Sequence, residues 1–126
     1  MTDLDKTEAV VPPPPPTFDS IAMSADLRKA IDELGYANPT PVQVAVFDPA
    51  VRGKNLVVQA RTGTGKTTAF GLPIIDQLVK KSVPKVQALI LTPTRELALQ
   101  VSRELTRLAQ YRGTKVMAIY GGAPMG

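Results

Sequence analysis

From Ala60 to Thr67 the chain reads ARTGTGKT, and these residue types suit one chemistry: holding a nucleoside triphosphate by its phosphates. Gly63 and Gly65 let backbone N–H groups approach phosphate oxygens in conformations other residues resist. Lys66 can reach the β- and γ-phosphates and Thr67 offers a hydroxyl to Mg²⁺. A helix starting here adds the positive end of its dipole. Arg61, Thr62, Thr64 and Thr68 complete the nucleotide-binding stretch. The strict pattern has Gly at its first position, where this chain has Ala60. The alternative is a Gly/Thr-rich turn with an incidental lysine; the position of the loop between a strand and a helix favours phosphate binding. The loop by itself selects no base.

A second candidate lies upstream in GYANPTPVQ, Gly35–Gln43. Thr40 suits a helix N-cap, Pro41 the first helical position, and Gln43 the third, which completes a capping box. On that reading Gln43 serves only its own helix. On the other reading its amide recognises a group outside the chain. A third candidate is PTRELA, Pro93–Ala98, at the start of another helix. Arg95 there is either a solvated charge or, with the helix N-terminus, a phosphate site.

The elements that must position these residues follow a regular order. Ser24 is expected to cap a helix running to Leu34, with Leu27, Ala30, Ile31 and Leu34 on one face and Gly35 as its stop. A second helix is expected from Pro41, broken near Pro49 and ended by Gly53. NLVVQA (Asn55–Ala60), VQALILT (Val86–Thr92) and KVMAIYGG (Lys115–Gly122) are apolar runs of strand character. Between them lie a helix from about Lys66 to Lys80, kinked at Pro73, and an amphipathic helix over Glu96–Gln110. The latter has Leu97, Val101, Leu105 and Leu108 on one stripe, with Arg103 and Arg107 off it. Alternating buried strands and helices predict an α/β fold with a parallel sheet and right-handed crossovers. Three strands make a small doubly wound sheet, so the expectation is the front part of a domain.

Composition narrows the classes. The 126 residues allow one domain at most, and 44% hydrophobic with 21% charged residues is ordinary for a globular protein. Without Cys or His, disulfides, thiolate metal sites and imidazole bases are excluded. No apolar run reaches the roughly 18–20 residues that span a bilayer, and Asp3 and Asp5 have the wrong sign for a secretory leader. The expected location is cytoplasmic. Asp3, Asp5 and Glu8 against Lys6 leave residues 1–16 at −2, so the remainder carries +6 of the net +4. That balance is compatible with a polyanionic partner. Pro12–Pro16 form a polyproline spacer behind a polar tail expected to be disordered. Residues 1–16 are therefore set apart from a body over 17–126.

GYANPTPVQ, ARTGTGKT, PTRELA and the pair Gly121–Gly122, in this order, resemble the opening motifs of a DEAD-box RNA helicase of superfamily 2. Phe18 stands seventeen residues ahead of Gly35, where that family has an isolated aromatic. The resemblance covers nearly everything after the proline run. It implies the N-terminal part of the first RecA-like (P-loop) domain, a three-layer arrangement truncated after about the third strand. It also implies ATP and Mg²⁺ as cofactors and RNA as partner. Gln43 matches the adenine-reading glutamine, whose amide can accept from N6–H and donate to N7. Tyr36 matches the base-stacking aromatic supported by Phe18, and Thr40 the threonine tied to the phosphate loop; core packing is the plain alternative for Phe18. Pro93, Thr94 and Arg95 match residues that grip the RNA backbone, and Gly121 and Gly122 a pair that lets RNA pass close to the main chain. Such contacts are salt-dependent and carry no sequence information. The chain contains no DEAD tetrapeptide and no SAT segment. The parent is therefore expected to be an ATP-dependent RNA helicase, while the 126 residues alone bind nucleotide at most. The alternatives are a DNA-directed superfamily 2 ATPase and a non-catalytic nucleotide- or RNA-binding fragment.

Overall fold

Ser24 starts helix α1, Ala25–Glu33, by accepting the Leu27 N–H on its hydroxyl, a long cap at 3.5 Å. The helix ends as its glycine demands. Gly35 takes φ +80°, its N–H bonds to the Asp32 carbonyl, and the Tyr36 N–H reaches back to Ile31. This six-to-one and five-to-two pair is a Schellman ending, which fixes the direction in which Tyr36 leaves the helix. The computed structural model describes residues 14–60, 65–80 and 83–122. Most of the tail (1–13), the phosphate-loop residues Arg61–Thr64, and 123–126 lie outside the described residues. Pro14–Pro16 are exposed, and the Pro16 carbonyl accepts a 2.8 Å bond from Asn38 Nδ2.

Helix α2 spans Pro41–Val51 without a break at Pro49, contrary to the expectation. Pro49 stands in the last turn, where its missing donor costs one bond. The Arg52 and Lys54 N–H groups still close on the Asp48 and Pro49 carbonyls. Gly53, at φ +79°, then ends the helix. Helix α3, Lys66–Pro73, is shorter than expected and passes into a π-helical turn at Ile74–Leu78. Within that turn the Val79 N–H reaches the Ile74 carbonyl, the wider register by which helices commonly absorb a local defect such as Pro73. Helix α4, Arg95–Leu108, follows its stripe: Val101, Leu105 and Leu108 are buried.

Helix α3 lies between α2 and α4, and α1 packs on α4. One core joins Phe18, Leu27, Ile31, Phe47, Leu72 and Leu105. Asp76 in the π-turn is buried, accepts the Ser24 N–H at 2.9 Å, and so ties α1 to the end of α3. Arg112 spans the same junction, donating to Ser24 Oγ and to the Asp76 carbonyl.

The three apolar runs depart from the expectation. Among the described residues none is paired in a ladder. They are not buried on both faces either: Val57 is 97% and Leu89 79% exposed. The last run nevertheless alternates strictly. Val116, Ala118 and Tyr120 are half-buried, while Lys115, Met117 and Ile119 are exposed. Ile90 and Val116 pack against the helical core. Each of these two runs thus has a covered and a bare face. The physical reason lies in the layering. A parallel sheet is stable when both faces are covered, whereas the core joins these runs to α1–α4 on one side only.

Stability should distinguish the two kinds of apolar residue. Leu72→Ala, at a fully buried site, is expected to cost about 2–5 kcal/mol. Leu89→Ala should stay within about 0.5 kcal/mol. Urea midpoints of the two variants of the 126-residue chain check this, and a large loss at Leu89 would mean that the second run is buried in this chain in solution.

Candidate nucleotide and nucleic-acid site

The Schellman ending of α1 and the cap of α2 bracket a short connection carrying Tyr36 and Thr40. Thr40 Oγ1 accepts the Gln43 N–H at 3.4 Å, and Gln43 Oε1 accepts the Thr40 N–H at 2.9 Å, so the capping box is formed. The Gln43 amide does more than cap. Its Nε2 donates to the Gly65 carbonyl at 3.3 Å, across twenty-two residues. Gln43 is only 5% exposed, wedged between its own helix start and the start of α3.

Gly65 is the N-cap of α3 and adopts φ +79°. A Cβ there would stand 2.4 Å from Gln43 Nε2. Both the dihedral and the space therefore require glycine. Lys66 opens α3 with its side chain exposed, followed by the half-buried Thr67. Thr68 turns inward and is 2% exposed. Among the described residues no group of three acidic, His or Cys side chains could hold a metal ion. A divalent cation here would take Thr67 Oγ1 as one ligand and the rest from phosphate oxygens and water.

Tyr36 is half-buried with its hydroxyl 3.4 Å from Glu104 Oε1. Burial, and then the Glu104 charge, raise its pKa above the ordinary phenol value. It therefore stays protonated at neutral pH. Phe18 is 1% exposed and belongs to the core against which Tyr36 packs. Arg61, Thr62, Gly63 and Thr64 lie outside the described residues.

On the other side of α3, Thr94 caps α4 by accepting the Leu97 N–H at 3.1 Å. Its carbonyl takes the Thr92 hydroxyl at 3.0 Å. Pro93 and Arg95 are exposed, and Arg95 Nε is 3.6 Å from Glu96 Oε1, a surface pair worth little. Gly122, at φ +82°, comes close to it: a Cβ there would lie 3.9 Å from Arg95. The fold thus brings the end of the third run to the start of α4. Gly121 has open space around it.

The sequence reading missed two carboxylates. Glu104 accepts the Thr68 hydroxyl at 2.6 Å, and Asp76 accepts the N–H of Ser24, the residue that caps α1. Glu104 was visible as an acidic residue inside the apolar stripe of α4, one turn from both Val101 and Leu108. Asp76 had no such signal, because its partners are 52 and 36 residues away.

A family model described as DEAD/DEAH box helicase matches residues 40–126. The DEAD-box ATP-dependent RNA helicase CshA of Bacillus subtilis is 44% identical over 110 residues, covering 87% of this chain and 22% of its own length. The DEAD-box ATP-dependent RNA helicase RhpA of Helicobacter pylori is 40% identical over 107 residues, covering 85% and 21%. A crystal structure of a DEAD box protein from Methanococcus jannaschii superposes with a TM-score of 0.74 at 39% identity, over 86% of this chain and 30% of that one. The RNA-helicase Prp28 from Chaetomium thermophilum, solved with ADP, gives 0.76 at 33% identity, over 91% and 29%. The chain spans about a fifth of the length of these curated relatives. At these identities the likeness is one of fold as well as sequence: the neighbours are RecA-like helicase domains.

Gly65→Ala tests the junction of the two segments. The left-handed dihedral and the clash with Gln43 should weaken binding of a fluorescent ATP analogue at least about tenfold, or ~1.4 kcal/mol. An unchanged dissociation constant would show that this geometry is not used for nucleotide.

Proposed function

The chain belongs to the DEAD/DEAH box helicase family, and we propose that it supplies the ATP-binding and part of the RNA-binding surface of an ATP-dependent RNA helicase. One observation carries this reading: the Gln43 amide bonds to the Gly65 carbonyl, which sets the glutamine segment against the residue where the phosphate loop passes into α3. Gln43 uses one lone pair on Thr40 and one N–H on Gly65. An amide has a second of each, and these match the N6–H donor and N7 acceptor of adenine. Guanine presents an acceptor, O6, in place of that donor. The capping box and base reading are then compatible, since capping holds the amide in place.

Within the site the roles divide by position. Tyr36 offers a ring for the base, with Phe18 in the core against which Tyr36 packs. Thr40 holds Gln43. The loop from Arg61 through Gly65 wraps phosphate, Lys66 meets its charge at the start of α3, and Thr67 supplies one Mg²⁺ ligand. Bound ATP supplies the phosphoanhydride whose cleavage the helicase uses. Pro93, Thr94 and Arg95 at the start of α4, with Gly122 close to Arg95 and Gly121 preceding it in the chain, receive the sugar–phosphate backbone of RNA. The helicase names of CshA and RhpA support RNA over DNA. In the complete domain the three apolar runs pair into a parallel sheet covered on both faces, within a body over residues 17–126 and behind a proline spacer. The expected location is the cytoplasm.

A second reading applies to the 126 residues alone. Their sequence holds no DEAD carboxylate pair, and phosphoryl transfer depends on positioned charge. By themselves they should bind nucleotide without turning it over.

RNA-stimulated ATP hydrolysis by the full-length protein is the direct test. Lys66→Ala should lower turnover roughly 100-fold or more while leaving the fold intact by circular dichroism; undiminished turnover would remove the phosphate-loop assignment. Gln43→Ala should reduce the preference for ATP over GTP roughly tenfold or more. A loss of thermal stability with base preference unchanged would return Gln43 to a capping role alone.

A further inference from the structure

The apolar stripe of α4 contains one carboxylate. Glu104 is half-buried between Val101 and Leu108, where a leucine would complete the packing without the cost of desolvating a charge. Its Oε1 receives the Thr68 hydroxyl at 2.6 Å, in the range of a charge-assisted O–H···O⁻ bond. The same oxygen lies 3.4 Å from the Tyr36 hydroxyl, a long and weaker contact. One atom therefore touches the helix that follows the phosphate loop, the aromatic of the base platform, and the helix whose start carries Thr94 and Arg95. No other hydrogen bond or ion pair among the described residues joins these elements so directly.

We infer that Glu104 is a positioning residue that couples nucleotide binding to the RNA-gripping end of α4, by holding Thr68 and Tyr36 on one carboxylate oxygen. The inference rests on the proposed ATP and RNA sites and adds the link between them. Thr68 directly follows Thr67 in the first turn of α3. Any adjustment of that turn when Lys66 and Thr67 meet phosphate moves the Thr68 hydroxyl, and a short directional bond transmits the movement to α4. Arg95 lies nine residues along the same helix, about 14 Å at 1.5 Å per residue. The apolar α3–α4 contact sets the helices' separation but is not directional. The Glu104 bond adds rotational register.

The experiment measures binding of a non-hydrolysable ATP analogue to the full-length protein, with and without single-stranded RNA, together with the melting temperature. The ratio of the two affinities is the coupling. Glu104→Leu should weaken RNA-bound affinity at least about fivefold more than RNA-free affinity, so that the coupling falls by that factor. Glu104→Gln keeps the shape and an acceptor for Thr68, so it should fold and lose about half the coupling free energy, a neutral hydrogen bond being roughly half as strong. If Glu104→Leu does not fold, Glu104→Gln decides alone: undiminished coupling overturns the inference. Equal weakening with and without RNA, in step with a lowered melting temperature, also overturns it, since that is a structural bond only. A wild-type protein that binds ATP but shows no coupling to RNA removes the functional reading itself, and this inference with it.

Discussion

Everything around the candidate site hangs on how closely α3 can approach α4. At Gly71 a Cβ would stand 2.6 Å from Leu105 Cδ2 and 3.3 Å from Leu108 Cδ1, so the absence of a side chain sets the separation of the two helices. Helix α3 carries Lys66, Thr67 and Thr68 at one end and passes into the π-turn with Asp76 at the other. It packs against both α2 and α4, and its first turn is bonded to Gln43 on one side and to Glu104 on the other. The close approach also makes room for a 2.6 Å bond between a threonine and a carboxylate.

Around this packed helix the polar bonds are few and placed where elements begin. Gln43 joins the start of α2 to the start of α3. Asp76 joins the end of α3 to the start of α1. Thr94 starts α4 beside Gly122. Helix starts have unpaired N–H groups that need acceptors. The Gln43 bond sets the positive dipole ends of α2 and α3 in one region. Such a region suits anions, whether the phosphates of a nucleotide or those of a strand. Surface ion pairs contribute little: Arg28 with Asp19 and Asp32, and Arg95 with Glu96, are all substantially exposed.

The bare apolar face is the counterpart of this one-sided arrangement. Val86, Leu91, Met117 and Ile119 are largely exposed, although their runs have the composition of buried strands. An apolar surface of this kind gains free energy from being covered. In the strictly alternating third run, the half of the residues facing the helices is already satisfied. The chain spans about a fifth of its curated relatives' length, and in the complete domain proposed above, elements packed on the far face of the sheet would cover the other half.

Several features were determined by the sequence alone. Glycines at 35, 53 and 65 required left-handed dihedrals and ended or opened helices as expected. The Thr40–Gln43 box formed, and Val101, Leu105 and Leu108 of the α4 stripe were buried, with Leu97 half-buried. These are local effects, set within a few residues by sterics and hydrogen-bond geometry. The tertiary structure decided the rest. It carried α2 past Pro49, turned Pro73 into the start of a π-turn, left the three runs unpaired among the described residues, and sank Phe18 into the core. It alone brought Gln43 to Gly65, Thr68 to Glu104 and Gly122 to Arg95, because residues 22 to 36 positions apart meet only when whole helices pack. Local chemistry thus named the candidate groups, but their proximity depends on burial summed over the whole core, which no short stretch of the chain contains.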